Sequence, residues 1–134
     1  MEEGWNARYE LGVEVLDSEH RRLFDLVRRV RSVVESEGGS LALLSALQEL
    51  TDFASLHFQT EEKLMEEHDF STAGLHRKAH ERLLQELREF SRRISRIPVS
   101  GVRASVEDFL GKWLVEHVSH GDAMLARHLK SEGY

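Results

Sequence analysis

Where the helix breakers fall constrains this chain more than any other feature. Its one proline is Pro98, and its glycines gather mainly at Gly38-Gly39, Gly74, Gly101 and the two ends. Between those points run long stretches rich in Leu, Glu, Arg and Ala, which lose little side-chain freedom in a helix. Apolar residues recur there at spacings of three and four. The first stretch carries Leu23, Leu26, Val27, Val30 and Val34, and the second Leu43, Leu47, Leu50, Ala54 and Phe58. The third carries Leu75, Ala79, Leu83, Leu87, Phe90 and Ile94, and the fourth Val106, Leu110, Trp113, Leu114, Met124 and Leu125. The pattern predicts helices over about 18–37, 41–67, 72–95 and 101–130, with Asp17-Ser18, Ser40 and Ser71-Thr72 as N-terminal caps. Four helices of similar length joined by short loops predict an all-α fold, an up-down-up-down antiparallel four-helix bundle. Residues 1–17 carry Trp5, Tyr9, Leu11, Val13 and Val15, too apolar for a loose tail. They are expected to form an N-terminal arm packed across a bundle of residues 18–134, one domain in all.

A chain of 134 residues is long enough to bury a core without covalent staples. It has no cysteine, which excludes disulfides, thiolate metal sites and cysteine nucleophiles, so any metal must be held by nitrogen and oxygen. A net charge of −6 with interleaved signs argues against a nucleic-acid or anionic-membrane partner, and the basic stretch Arg92-Arg93 to Arg96 reads as a solvated helix end. No apolar run is long enough to span a bilayer, and Met1-Glu2-Glu3-Gly4-Trp5 lacks the order of a secretory signal. The expectation is a cytoplasmic protein, monomeric, with no membrane partner. Eight histidines are the exception to this plain composition, and neutral imidazole is the commonest metal ligand.

Residues four apart on a helix differ by about 40° in direction, so both side chains reach one point. Two pairs have that spacing: His57 and Glu61 on the second helix, His76 and His80 on the third. One such pair is explained as well by a buried histidine bonded to its neighbour. Two pairs, with His20 on the first helix and His117 and Asp122 on the fourth, give every helix an inward ligand candidate, the way bundle cores hold metals. Five imidazoles and two carboxylates exceed one tetrahedral zinc and suit two octahedral first-row ions sharing carboxylate bridges. No Glu has a His three residues later, as a ferritin-like carboxylate site would require. His117 and Asp122 are five residues apart and would point about 140° away from each other on a regular helix. The fourth helix is therefore expected to be widened, kinked or interrupted between them, a π-bulge before the other forms, with Gly121 easing the distortion. His68, His120 and His128 have no partner at a useful spacing and read as surface residues.

The runs Gly12-Val13-Glu14-Val15-Leu16-Asp17-Ser18-Glu19-His20, His57-Phe58-Gln59-Thr60-Glu61-Glu62-Lys63-Leu64-Met65, His76-Arg77-Lys78-Ala79-His80 and Trp113-Leu114-Val115-Glu116-His117 with Asp122 resemble the hemerythrin family, in particular its single-domain bacterial branch, the bacteriohemerythrins. The resemblance covers nearly the whole chain. It implies two iron ions, cycling between Fe2+ and Fe3+, with a bridging oxo or hydroxo group. His76, His80 and His117 would hold one ion, His20 and His57 the other, and Glu61 and Asp122 would bridge them. The first ion would be fully coordinated and the second would keep one open position, which implies reversible binding of dioxygen. A dry oxygen pocket would be lined by Leu23, Phe24, Phe58, Trp113, Leu114 and Val118. One departure is visible: Phe70-Ser71 stands where the family usually has Tyr-Pro, which puts local rigidity in doubt.

The reading is thus an oxygen carrier, storage or supply protein without enzymatic turnover, serving an oxygen-consuming protein. A di-iron enzyme on the same scaffold stays open beside it, reducing peroxide or nitric oxide or repairing iron centres. So does an oxygen sensor module, although Met1 to Tyr134 leaves no room for an output domain.

Overall fold

The computed structural model describes residues 9–36, 39–97, 102–116 and 122–134, and among them every regular element is helical. The elements are α1 (Glu14–Glu35), α2 (Ser40–Glu67), α3 (Ala73–Ile94), α4 (Arg103–Glu116) and α5 (Ala123–Ser131). The first three match the expected helices, and α4 and α5 together cover the expected fourth. Residues 117–121 between them lie outside the described residues, and with them most of the expected widening. At its edge, Asp122 sits in a π-helical turn.

The helix starts differ from expectation in an informative way. Asp17-Ser18 was expected to cap α1 from outside, but α1 begins at Glu14, one turn earlier. Asp17 lies inside the helix, 4% exposed, and its carboxylate reaches back to accept the N–H of Leu11 at 2.8 Å and of Gly12 at 3.1 Å. Gly12 takes a φ of +83°, which turns the preceding chain so that both N–H groups point at one side chain. Ser40 is the first residue of α2 and follows Gly39, whose φ of +88° makes the turn. Thr72 precedes α3 without a capping bond from its side chain.

Helix α2 packs on α1 and α3, and α1 packs on α4. The Trp113 indole Nε1–H donates to the Leu83 carbonyl at 3.0 Å, and Phe90 stacks on Phe109 with centroids 4.3 Å apart, so α4 also meets α3. Two apolar clusters result. The larger includes Leu23, Val30, Leu47, Leu87, Val106 and Leu110, and Tyr9 joins it by packing its ring 4.7 Å from Phe24. The smaller includes Val13, Leu16, Leu64, Met65, Leu125 and Leu129. Each leucine fully withdrawn from water contributes about 1.5–3 kcal/mol. Leu75 and Met124, expected in the apolar stripes, are 69% and 50% exposed. Each lies off the buried line of its helix, which runs through His80, Leu83 and Leu87 on α3 and through Asp122, Leu125 and Leu129 at α5. Trp5 of the expected arm lies outside the described residues.

Asp17→Ala removes the acceptor for two backbone N–H groups and should cost about 1–3 kcal/mol. Urea unfolding followed by circular dichroism should show a lower midpoint with native helix content retained, and an unchanged midpoint would mean that water replaces the carboxylate.

Candidate metal centre

The sequence places His20, His57, Glu61, His80 and Asp122 where each helical segment passes from one apolar cluster to the other. His20 follows Leu16 of the smaller cluster and precedes Leu23 of the larger, and His80 lies between Ala73 and Leu83 in the same way. His57 and Glu61 stand between Ala54 of the larger cluster and Leu64 of the smaller, and Asp122 precedes Leu125. These residues therefore form a polar layer with apolar packing above and below it. His20, His57, Glu61 and Asp122 are fully buried and His80 nearly so.

Within the layer, one ligand atom from each of His20, His57, Glu61 and Asp122 lies within 4.8 Å of the others, a grouping that could hold a cation. Glu61 is the centre of it. Its Oε2 lies 2.9 Å from His57 Nε2 and 3.7 Å from His20 Nε2, while its Oε1 faces the other way, 2.9 Å from His80 Nε2. Asp122 Oδ2 meets His20 Nε2 in a short contact and lies 3.4 Å from His57 Nε2. The two oxygens of one carboxylate are thus divided between a His20–His57 side and a His80 side.

His76 is one turn before His80 on α3, half-buried, with its ring 6.2 Å from that of His80 and edge-on to Phe70 at 5.1 Å. His117 and Val118 lie outside the described residues, as does His120. Leu23, Phe24, Phe58, Trp113 and Leu114 are all buried in the larger cluster, and Phe58 stacks flat on His80 with centroids 4.2 Å apart. His68 and His128, expected at the surface, are half-buried: His68 Nδ1 lies 2.8 Å from Glu132, and the His128 Nε2–H donates to the His68 carbonyl at 2.7 Å.

Two partners escaped the sequence reading. The Nδ1–H of His57 donates to Glu19 Oε1 at 2.7 Å, and the Nδ1–H of His80 donates to Glu62 Oε2 at 2.9 Å. Glu19 and Glu62 each adjoin a candidate ligand in sequence, His20 and Glu61, but the rings they serve belong to other residues. Adjacency was the one available hint.

Electrostatics follow from the packing. Burial pulls the pKa of His20 down, but hydrogen bonding to Asp122 and Glu61 outweighs it and the net shift is upward. His57 is raised well above the ordinary imidazole value, because Glu61, Asp122 and Glu19 together overcome burial. His80 is raised against burial by Glu61 and Glu62. Without a cation, the buried carboxylates favour the protonated form of these rings. A cation bound by neutral imidazole nitrogen and carboxylate oxygen would displace them.

Comparison with known proteins agrees with the geometry. The family model described as the Hemerythrin HHE cation binding domain matches residues 11–129. The chain is 26% identical over 131 residues to a bacteriohemerythrin of Pseudomonas aeruginosa (strain PAO1), covering 96% of this chain and 84% of that relative. It is 24% identical over 127 residues to a bacteriohemerythrin of Stenotrophomonas maltophilia (strain R551-3), covering 95% and 81%. A hemerythrin-like protein of Naegleria gruberi is 27% identical over 118 residues, covering 88% of this chain and 86% of its own length.

The raised histidine pKa values give a sign to the pH dependence. A ring whose folded pKa exceeds its unfolded value of about 6.5 contributes stability that is complete below that value and lost as pH rises through the folded one. The metal-free chain should therefore lose stability above pH ~6.5, while the cation-loaded chain, free of competing protons, should hold its metal better as pH rises. Denaturation midpoints of both forms across that range check this, and a metal-free midpoint that climbs with pH would contradict it.

Proposed function

The chain belongs to the hemerythrin family, and from that premise we propose that it binds dioxygen reversibly at a pair of iron ions held in the polar layer. The observation that carries the reading is the division of Glu61, one oxygen toward His20 and His57, the other toward His80. A bridging carboxylate between two ions needs that arrangement, and an all-nitrogen-and-oxygen donor set suits iron. In the proposal His20 and His57 hold one ion, His76, His80 and His117 the other, and Glu61 and Asp122 bridge them, together with an oxo or hydroxo group. The scaffold is an up-down-up-down antiparallel four-helix bundle over 18–134, with α4 and α5 as halves of its fourth helix and 1–17 as an arm across it.

When bound, the iron pair supplies the electrons and the open coordination position that dioxygen requires. The chain's own residues do the rest. Glu19 and Glu62 hold the His57 and His80 rings in the orientation that turns Nε2 inward. Leu23, Phe24, Phe58, Trp113 and Leu114, each at most 4% exposed, keep water from the layer, and Val118 completes this lining in the proposal. No protonated side chain is needed for carriage, and a dry pocket favours release of dioxygen unchanged over its reduction. Repeated consumption of oxygen by the loaded protein would instead favour a di-iron enzyme on the same scaffold.

Metal analysis should find two irons per chain, falling below one in Glu61→Ala because that substitution removes a ligand from both ions. Absorption spectra of the loaded protein under nitrogen, then air, then nitrogen again should show a band that appears and disappears. One iron per chain in the unmodified protein, or full loading of Glu61→Ala, would sink the bridged arrangement.

Leu114→Ala should leave iron content and helicity near their normal values, since the site is not touched, but open a cavity beside it. The air-induced band should then decay faster than in the unmodified protein at the same pH. An unchanged rate would remove Leu114 from the barrier against water.

A further inference from the structure

We propose that Glu19 and Glu62 are unequal positioning residues, and that Glu19 biases the His57 side of the centre toward the oxidised state. This rests on the di-iron reading above. Both rings share one geometry: Nε2 lies 2.9 Å from a Glu61 oxygen, and Nδ1–H on the opposite edge donates to an outer carboxylate. Each outer carboxylate therefore fixes the tautomer whose Nε2 lone pair faces inward, and it pushes electron density through the ring toward whatever ion that nitrogen holds.

The two carboxylates differ in what compensates their charge. Glu19 Oε2 accepts the Thr60 hydroxyl at 3.2 Å, a neutral donor, and no Lys or Arg among the described residues lies within ion-pair distance of it. Glu62 Oε1 lies 3.6 Å from Arg77 Nε, so a cation offsets part of its charge. Their exposures, 20% and 27%, are too alike for solvent screening to explain a difference. Negative charge stabilises the more positive oxidation state, and it acts at closer to full strength behind His57 than behind His80. The His20–His57 side is also the one that the proposed function leaves open to dioxygen. The uncompensated carboxylate thus backs the position that the proposed function would leave open to the ligand.

The test compares full-length unmodified, Glu19→Gln, Glu62→Gln, Arg77→Gln and Arg77→Gln/Glu62→Gln proteins. Glutamine keeps an acceptor and removes the charge, so fold and iron content should hold. Two quantities are read: the midpoint potential of the iron-loaded protein, and the rate at which a chelator strips Co2+ from the cobalt-loaded protein. Glu19→Gln should raise the potential and hasten cobalt loss by about tenfold or more. Glu62→Gln should move both less, and its effect should grow in the Arg77→Gln background. Equal effects of Glu19→Gln and Glu62→Gln, or a Glu62→Gln effect that ignores Arg77, would overturn the inequality. Failure of the di-iron reading would appear separately, as an unmodified protein holding fewer than two irons. The order of cobalt release still decides the positioning roles in that case, because it requires no iron pair.

Discussion

Burying Glu61 and Asp122 is the constraint on which the rest of this structure depends. A carboxylate removed from water is costly unless opposite charge and hydrogen-bond donors meet it. Neither residue has any solvent exposure, and each faces imidazole nitrogen from more than one helix. Because α1, α2, α3 and the turn leading into α5 all contribute, the compensation exists only once those segments have packed. The two apolar clusters flanking the layer hold the segments at that level. Fold and site are therefore one cooperative unit, and any cation that binds the layer stabilises the fold by the same free energy.

Charge is graded outward from that layer. The innermost carboxylates are fully buried, Glu19 and Glu62 beyond the rings are one-fifth to one-quarter exposed, and Arg77 beyond Glu62 is half exposed. An ion placed at the centre thus meets successive rings of partners instead of an abrupt boundary with hydrocarbon. Such grading also explains why half-buried acids serve as acceptors for the ring N–H groups: they orient an imidazole without bearing the full desolvation cost of a third buried carboxylate.

Much of this was legible in the sequence because it is periodic. The i, i+4 spacings of His57 with Glu61 and of His76 with His80 lie on the same stripes as Leu50, Ala54, Leu83 and Leu87, and helical geometry turns that coincidence into a site. The same logic failed where periodicity carries no information. Asp17 looked like an external cap, since its side-chain type suits one, but its role depends on Gly12 bending the preceding chain toward it. Leu75 and Met124 fit the apolar spacing yet face solvent, because the buried lines run through His80, Leu83 and Leu87 and through Asp122, Leu125 and Leu129, and spacing alone does not say which of two neighbouring lines the other helices cover. Glu19 and Glu62 are charged residues beside charged residues, and only the crossing of α1 over α2 and of α2 over α3 shows which ring each one meets.

Position 70 bears on the rigidity that the sequence left in doubt. Phe70, in the middle of the α2–α3 connection, is 9% exposed, with its ring edge-on to His76 at 5.1 Å and tilted against His128 at 5.2 Å. The Phe70 N–H donates to the Met65 carbonyl at 2.9 Å, and Asp69 before it takes a φ of +50°, so the turn is closed by backbone geometry. His128 is in turn fixed by its bond to the His68 carbonyl, and His68 by Glu132. Tyrosine, which the family resemblance leads one to expect here, carries a hydroxyl that can form one hydrogen bond. Its absence leaves an aromatic wedge that ties α3 to α5 through two imidazoles, one of them the proposed ligand His76. Ring packing of this kind is worth about 0.5–1.5 kcal/mol per pair beyond the area buried, comparable with the net gain from the missing bond. The substitution at position 70 therefore changes the means by which this corner is held more than the firmness of the hold.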